Sequence, residues 1–253
     1  MDSEKGNTIV LPLHDPRLER TIGQWDKAAG EVCEFGGATG EAGIGVSAGW
    51  LDDLADALSE RSWVELDLST RVPNGLLQAL RDEVRILHKT ESMARAGIGR
   101  GAELTRDRRV RRDKIAWLDG VTAAQAELFR FFEALRLGLN QRLYLGLKRF
   151  EAHYATYQPG DFYLRHLDSF KGRASRALSL VLYLNEGWGL EDGGELRAFR
   201  AEHDDEVVSV MRPELGRAIL FLSEEIPHEV LPARRTRHSI ACWFRQDEVP
   251  LPL

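Results

Sequence analysis

Along the chain the apolar positions change their period once, and the change separates a helical first half from a β second half. Trp50, Leu51, Leu54 and Leu58 recur at helical spacing, and Val64, Leu66 and Leu68 then alternate with Glu65 and Asp67 as on a half-buried strand. Pro73 suits the first turn of a helix whose apolar face is Leu76, Leu77, Leu80, Val84 and Leu87. From Ala94 to Lys114 no period holds. Lys114 to Leu118 reads as a short strand ended by the turn pair Asp119-Gly120. Thr122 with Gln125 then forms a capping box for a long helix that buries Leu128, Phe131, Phe132, Leu135 and Leu139.

From Leu147 onward the pattern predicts successive strands over 147–157, 162–168, 177–184, 194–199, 206–211, 217–222, 227–231 and 236–244. Turn chemistry separates them at Pro159-Gly160, Gly187, Asp192-Gly193-Gly194, Arg212-Pro213 and Pro232. Helices followed by many short strands imply an α+β fold, an antiparallel sandwich or barrel with helices packed on one face. The Gly-rich tract from Gly30 to Gly49 cannot hold a regular element by itself. Residues 1–48 are therefore expected to be a poorly ordered arm, and residues 49–253 one domain.

Composition changes this picture only at its edges. The 253 residues can bury a full core without staples. A formal net charge of -6 argues against a surface built for nucleic acid, although Arg106-Asp-Arg-Arg-Val-Arg-Arg-Asp-Lys114 is locally basic and reads by composition as a solvated loop. Cys33 and Cys242 form no disulfide framework. No apolar run is long enough to cross a bilayer and no leader pattern opens the chain, so a cytoplasmic location without membrane association is expected.

Candidate chemistry centres on Tyr157 to Asp168. Its end, His166-Leu-Asp168, places a nitrogen and an oxygen donor on one face of a strand. Two donors are too few for a transition metal, and His228 in Ile226-Pro-His-Glu-Val230 offers a third. If Leu231-Pro-Ala-Arg234 is a hairpin turn, His228 lies opposite Arg237 and the two share a face. Two histidines, one carboxylate and a nearby arginine suit a facial Fe(II) site with three open positions, in which a 2-oxo acid chelates and its remote carboxylate meets Arg237. A lone His-x-Asp also arises by chance, and a strand histidine is more often a core residue, the reading given to His14, His88, His153, His203 and His238. The residues alone leave both readings open.

Several segments resemble the prolyl hydroxylase domain family of 2-oxoglutarate and Fe(II)-dependent oxygenases, its bacterial members and the catalytic domain of the animal hypoxia-inducible-factor prolyl hydroxylases above all. They are Arg112-Asp-Lys-Ile-Ala-Trp-Leu-Asp-Gly120, Tyr157-Gln-Pro-Gly160, Tyr163-Leu-Arg-His-Leu-Asp168, Leu182-Tyr-Leu-Asn185, Gly193-Gly-Glu-Leu-Arg-Ala-Phe199, Pro227-His-Glu-Val230 and Thr236-Arg-His-Ser-Ile-Ala-Cys-Trp243. They run in order through residues 50 to 245.

The resemblance implies a double-stranded β-helix, or jelly-roll, core. It implies iron ligation by His166, Asp168 and His228, a salt bridge from Arg237 to the 2-oxoglutarate C5 carboxylate, and Tyr183 and Tyr157 beside that co-substrate. Arg176 and Trp243 match residues flanking a substrate proline. The basic stretch that includes Arg109 and Arg111 matches a finger loop that folds over substrate. Implied cofactors are Fe(II), 2-oxoglutarate and dioxygen, with ascorbate as an accessory reductant. The implied reaction is prolyl C4 hydroxylation in a protein, with succinate and carbon dioxide as co-products and a role in oxygen sensing. For bacterial relatives the protein substrate suggested is translation elongation factor Tu. Oxygenation of a small molecule or free amino acid, and a non-catalytic 2-oxoglutarate sensor or scaffold, are the alternatives.

Overall fold

A computed structural model describes residues 45–97, 107–169, 176–201 and 205–246. Nearly all of the arm expected over 1–48 lies outside these residues, as do His14, His203 and Arg106 of the basic stretch. Chain order is α1 (Ala48–Arg61), β1 (Trp63–Asp67), α2 (Leu76–Lys89), β2 (Ala94–Arg95), β3 (Lys114–Trp117), α3 (Ala123–Leu143), β4 (Arg149–Tyr157) and β5 (Tyr163–His166). Then come β6 (Arg176–Tyr183), β7 (Leu196–Phe199), β8 (Val207–Met211), β9 (Arg217–Leu222), β10 (His228–Val230) and β11 (Arg237–Arg245).

The strands form two antiparallel sheets, one of seven strands in the order β1-β9-β6-β11-β4-β3-β2 and one of four in the order β5-β10-β7-β8. This is the layered arrangement of a jelly roll, with the helices on the outer face of the large sheet. Strand alternation sorts side chains between two cores. On β6 and β11, Leu178, Leu180, Leu182, Ile240, Cys242 and Phe244 point outward to Leu58, Leu80, Phe131, Phe132 and Leu135 of the helices. Fully burying each of these large side chains contributes about 1.5–3 kcal/mol. The opposite face of the large sheet, with Tyr183 of β6 and Ile219 and Phe221 of β9, packs inward on Leu196, Ala198 and Met211 of the small sheet.

Three local expectations are corrected. Pro73 is not in the first turn of α2; Gly75, at φ 81, is the N-cap and the helix opens at Leu76. The capping box at α3 is half formed. Thr122 accepts from the Gln125 backbone N–H at 3.1 Å, but the Gln125 side chain is drawn to the Asp119 and Gly120 N–H groups and to Glu83. The supposed hairpin between β10 and β11 does not exist. β10 pairs with β5 and β7, and β11 pairs with β4 and β6, so the intervening residues carry the chain from the small sheet to the large one.

Candidate active site

The two sheets bring His166, Asp168 and His228 together, with one ligand atom from each lying within 4.8 Å of the others. Register accounts for this. His228 of β10 is the partner of His166 on β5, so the two imidazoles sit side by side with ring centres 4.2 Å apart. Asp168 follows two residues after His166, its oxygens 3.6 Å from His166 Nε2 and 3.8 Å from His228 Nε2.

Neighbouring groups orient all three. His166 Nδ1 meets the Leu164 carbonyl at 2.8 Å and His228 Nδ1 meets the Ile226 carbonyl at 3.2 Å, which directs both Nε2 atoms toward the centre. Ser179 Oγ donates to Asp168 Oδ2 at 2.7 Å and is itself 2.8 Å from Ser223 Oγ. Tyr163 stacks on His166 at 3.5 Å and Phe221 covers His228 at 4.7 Å. Burial, reinforced by His166, pushes the His228 pKa down to about 4, so its imidazole is neutral and free to ligate. Burial alone would raise the Asp168 pKa, but His228, His166 and Arg176 together hold it well below the usual carboxylate range. Two imidazoles and one carboxylate fit a divalent first-row metal and leave three of six octahedral positions open.

Arg237 stands on the large sheet rather than beside His228. It pairs with Tyr157 across β4 and β11, and its guanidinium carbon lies 4.9 Å from the Tyr157 ring centre and 5.1 Å from that of Tyr183. The side chain is 1% exposed. Its Nε donates to the Gly194 carbonyl at 2.9 Å and its Nη1 to Ser239 Oγ at 3.1 Å. Nη2 has no partner among the described residues, and neither does the buried Tyr183 hydroxyl. A buried arginine N–H and phenol left orphaned side by side cost free energy unless an acceptor from outside completes them. A carboxylate fits both, so the donors present suit the remote end of a 2-oxo diacid.

The residues expected near substrate divide. Arg176 and Trp243 lie together, the guanidinium carbon 3.7 Å above the indole. Arg111 is held inward by buried Asp113, at 2.8 and 2.6 Å, and lies 4.3 Å over Tyr163. Arg109 projects into solvent, its side chain 90% exposed and paired, among the described residues, with Asp107. His153 and His238 are buried, as the core reading expects, and His153 lies edge-on to both Trp117 and Trp243.

Sequence reasoning missed Ser179, Gly194 and Glu151 as parts of the site. For Glu151 a signal exists: it is the one acidic residue of β4 and belongs to the inward-facing set Glu151, His153, Ala155 and Tyr157. For Ser179 and Gly194 the contacts depend on strand pairing and leave no local mark.

Residues 152–245 match the family described as the 2OG-Fe(II) oxygenase superfamily. Egl nine homolog 1 of Rattus norvegicus is 31% identical over 183 residues, which cover 66% of this chain and 51% of that protein, so the match spans about half the length of that relative. A crystal structure of a Pseudomonas putida prolyl-4-hydroxylase is similar with a TM-score of 0.69 and 39% identity, covering 78% of this chain and 99% of that one. A prolyl hydroxylase from Trichoplax adhaerens, in complex with a hypoxia inducible factor oxygen degradation domain peptide fragment, aligns with a TM-score of 0.70 and 25% identity over 79% of this chain and 90% of its own.

Proposed function

Since the chain belongs to the 2OG-Fe(II) oxygenase superfamily, we propose that it is a 2-oxoglutarate- and Fe(II)-dependent dioxygenase that hydroxylates C4 of a prolyl residue in a protein. The observation that carries this reading is the pair of orphaned donors, Arg237 Nη2 and Tyr183 Oη, buried in the jelly roll that also carries the His166, Asp168 and His228 cluster. Phe221 links the two: it packs in one core with Tyr183 and against the ring of His228.

In this reading His166 and His228 bind Fe(II) through Nε2, with the Nδ1 contacts to backbone carbonyls fixing ring orientation. Asp168 binds through the carboxylate that Ser179 steadies. Arg237 and Tyr183 receive the C5 carboxylate of 2-oxoglutarate, and the Tyr157 ring walls that end against water. When bound, Fe(II) with 2-oxoglutarate and dioxygen supplies the oxidising power for a C–H bond, while succinate and carbon dioxide leave as co-products. Trp243 and Arg176 form the wall against which a prolyl ring lies. We place the reaction in the cytoplasm, in keeping with a buried free thiol at Cys242.

Support for a protein substrate comes from the Trichoplax relative, which is described with a bound peptide, and from the identity to the Pseudomonas prolyl-4-hydroxylase. Translation elongation factor Tu is the first candidate to test. The deciding experiment is intact-mass and peptide mapping of host proteins incubated with enzyme, Fe(II) and 2-oxoglutarate. A gain of one oxygen atom on a peptide proline is expected, and absence of any modified protein would transfer the reaction to a small molecule or free amino acid.

A further inference from the structure

On the substrate-facing wall, a single carboxylate holds two arginines from two other strands. Glu151 of β4 accepts at Oε1 from Arg176 Nε at 2.9 Å and from Arg176 Nη2 at 2.7 Å, and at Oε2 from Arg245 Nη1 at 2.6 Å. Register explains how the span is crossed. Trp243 on β11 is paired with Glu151 on one side and with Ser179 of β6 on the other. Arg176 starts on β6 and must pass over β11 to reach Glu151, so its guanidinium comes to lie 3.7 Å above the Trp243 ring. The three charged side chains are only 12–25% exposed, so water screens the pairing weakly.

This plate belongs to the reaction face. Ser179, next to Trp243, donates to the Asp168 carboxylate, and the Arg176 charge is felt at both Asp168 and Tyr163. Arg176 uses Nε and Nη2 on Glu151, and Nη1 has no hydrogen-bond partner among the described residues. Arginine without a fixed partner samples many rotamers, and holding it in one geometry removes that entropy before substrate arrives.

We propose that Glu151 is a positioning residue for substrate: it pins Arg176 flat on Trp243 so that the Nη1 N–H groups stand as fixed donors to a carbonyl oxygen of the peptide carrying the target proline. Arg245 completes the device by engaging the second oxygen of Glu151, so that the carboxylate cannot swing away from Arg176. The identity of the acceptor rests on the prolyl reading given above; the pin itself does not.

The test has two arms. In the first, 1H–15N spectra of the full chain report the Arg176 Nε–H group. The wild-type protein should show it at neutral pH, slowed in exchange by its bond to Glu151 and moved upfield by the indole face, and Glu151→Gln should lose or shift it. In the second arm, wild-type enzyme with Fe(II) and 2-oxoglutarate is given a library of decapeptides with one central proline, and kinetics are measured on the peptide it hydroxylates fastest. Glu151→Gln should raise KM for that peptide about tenfold while kcat falls less than threefold. Arg176→Lys, which keeps the charge but cannot lie flat, should do the same and serves if Glu151→Gln fails to fold. An unchanged Arg176 Nε–H signal, or a peptide KM within twofold of wild type in both variants, overturns the proposal. A wild-type enzyme that modifies no peptide in the library counts against the prolyl reading instead, and the spectra still decide for or against the pin.

Discussion

Arg237 and Tyr183 lie diagonally across β11 and β6 with 5.1 Å between guanidinium carbon and ring centre, and each ends in a buried polar atom that no described residue satisfies. Such a pair is incomplete without an anion. Removing one hydrogen bond to a charged group costs about 1.5–3 kcal/mol, roughly a 10- to 100-fold change in binding. Tyr183→Phe should therefore raise the 2-oxoglutarate requirement by roughly that factor, and Arg237→Ala by more. Titration of decarboxylation against 2-oxoglutarate measures both, and an unchanged requirement in Arg237→Ala would remove that arginine from the co-substrate site.

The strands that carry these two residues were readable because β6 and β11 alternate cleanly between helix-facing and inward-facing side chains. What stayed hidden was which strand lies beside which. The Leu231-Pro-Ala-Arg234 turn signal fits a hairpin and a crossing between sheets equally well, because local turn chemistry does not encode the partner of the next strand. His228 in fact pairs with His166, 62 positions earlier in the chain, and such a pairing follows from packing of the whole sandwich rather than from any short stretch. The same reason hid Glu151, whose two arginines arrive from β6 and β11.

At the metal cluster, His166→Ala and Asp168→Ala should each reduce 2-oxoglutarate decarboxylation to background, and activity surviving both would sink the iron reading. Ser179→Ala is a finer probe. It removes the 2.7 Å hydrogen bond to Asp168 without touching a ligand, and loss of such an outer partner weakens metal binding by roughly 10- to 100-fold. Calorimetry with Mn(II) in place of Fe(II) measures this, and wild-type affinity in Ser179→Ala would show that Asp168 is oriented by something else.

Gly194 joins backbone conformation to the placement of Arg237. Its φ is +74, and an added Cβ would stand 2.8 Å from the Ala233 Cβ and 3.3 Å from the Arg237 Cδ. Gly194→Ala should lower stability by about 1–3 kcal/mol through left-handed strain, and should raise the 2-oxoglutarate requirement because the Gly194 carbonyl that holds Arg237 Nε is displaced. Urea denaturation and the same 2-oxoglutarate titration give the two values; a requirement equal to wild type would mean that Arg237 is held well enough without Gly194.

His153 makes acid stability testable. Burial, reinforced by Arg111, pushes its pKa down to about 4, against about 6.5 in an unfolded chain. Because the folded value is the lower one, its contribution is fully present above about pH 6.5 and is lost as pH falls toward 4. Between pH 7.5 and 4.5 the loss amounts to about 2.5 kcal/mol from this residue. Urea unfolding of the metal-free protein at both pH values should show His153→Gln losing less stability than wild type by roughly that amount, and equal losses would mean His153 is not held neutral in the fold.

The two ends of the proposed co-substrate site belong to different sheets: His228 is on β10, between β5 and β7, and Arg237 is on β11, between β4 and β6. Each of these strands is bonded on both edges, so neither can slide to meet a ligand. The distance between layers, about 10 Å in packed sheets, thus becomes a gauge for the length of a diacid that must reach from the histidine cluster to the arginine. A diacid one methylene shorter or longer, oxaloacetate or 2-oxoadipate, fails the gauge at one end. The loss expected is about 1–3 kcal/mol, so on the proposed reading the spacing of the two sheets favours a five-carbon co-substrate.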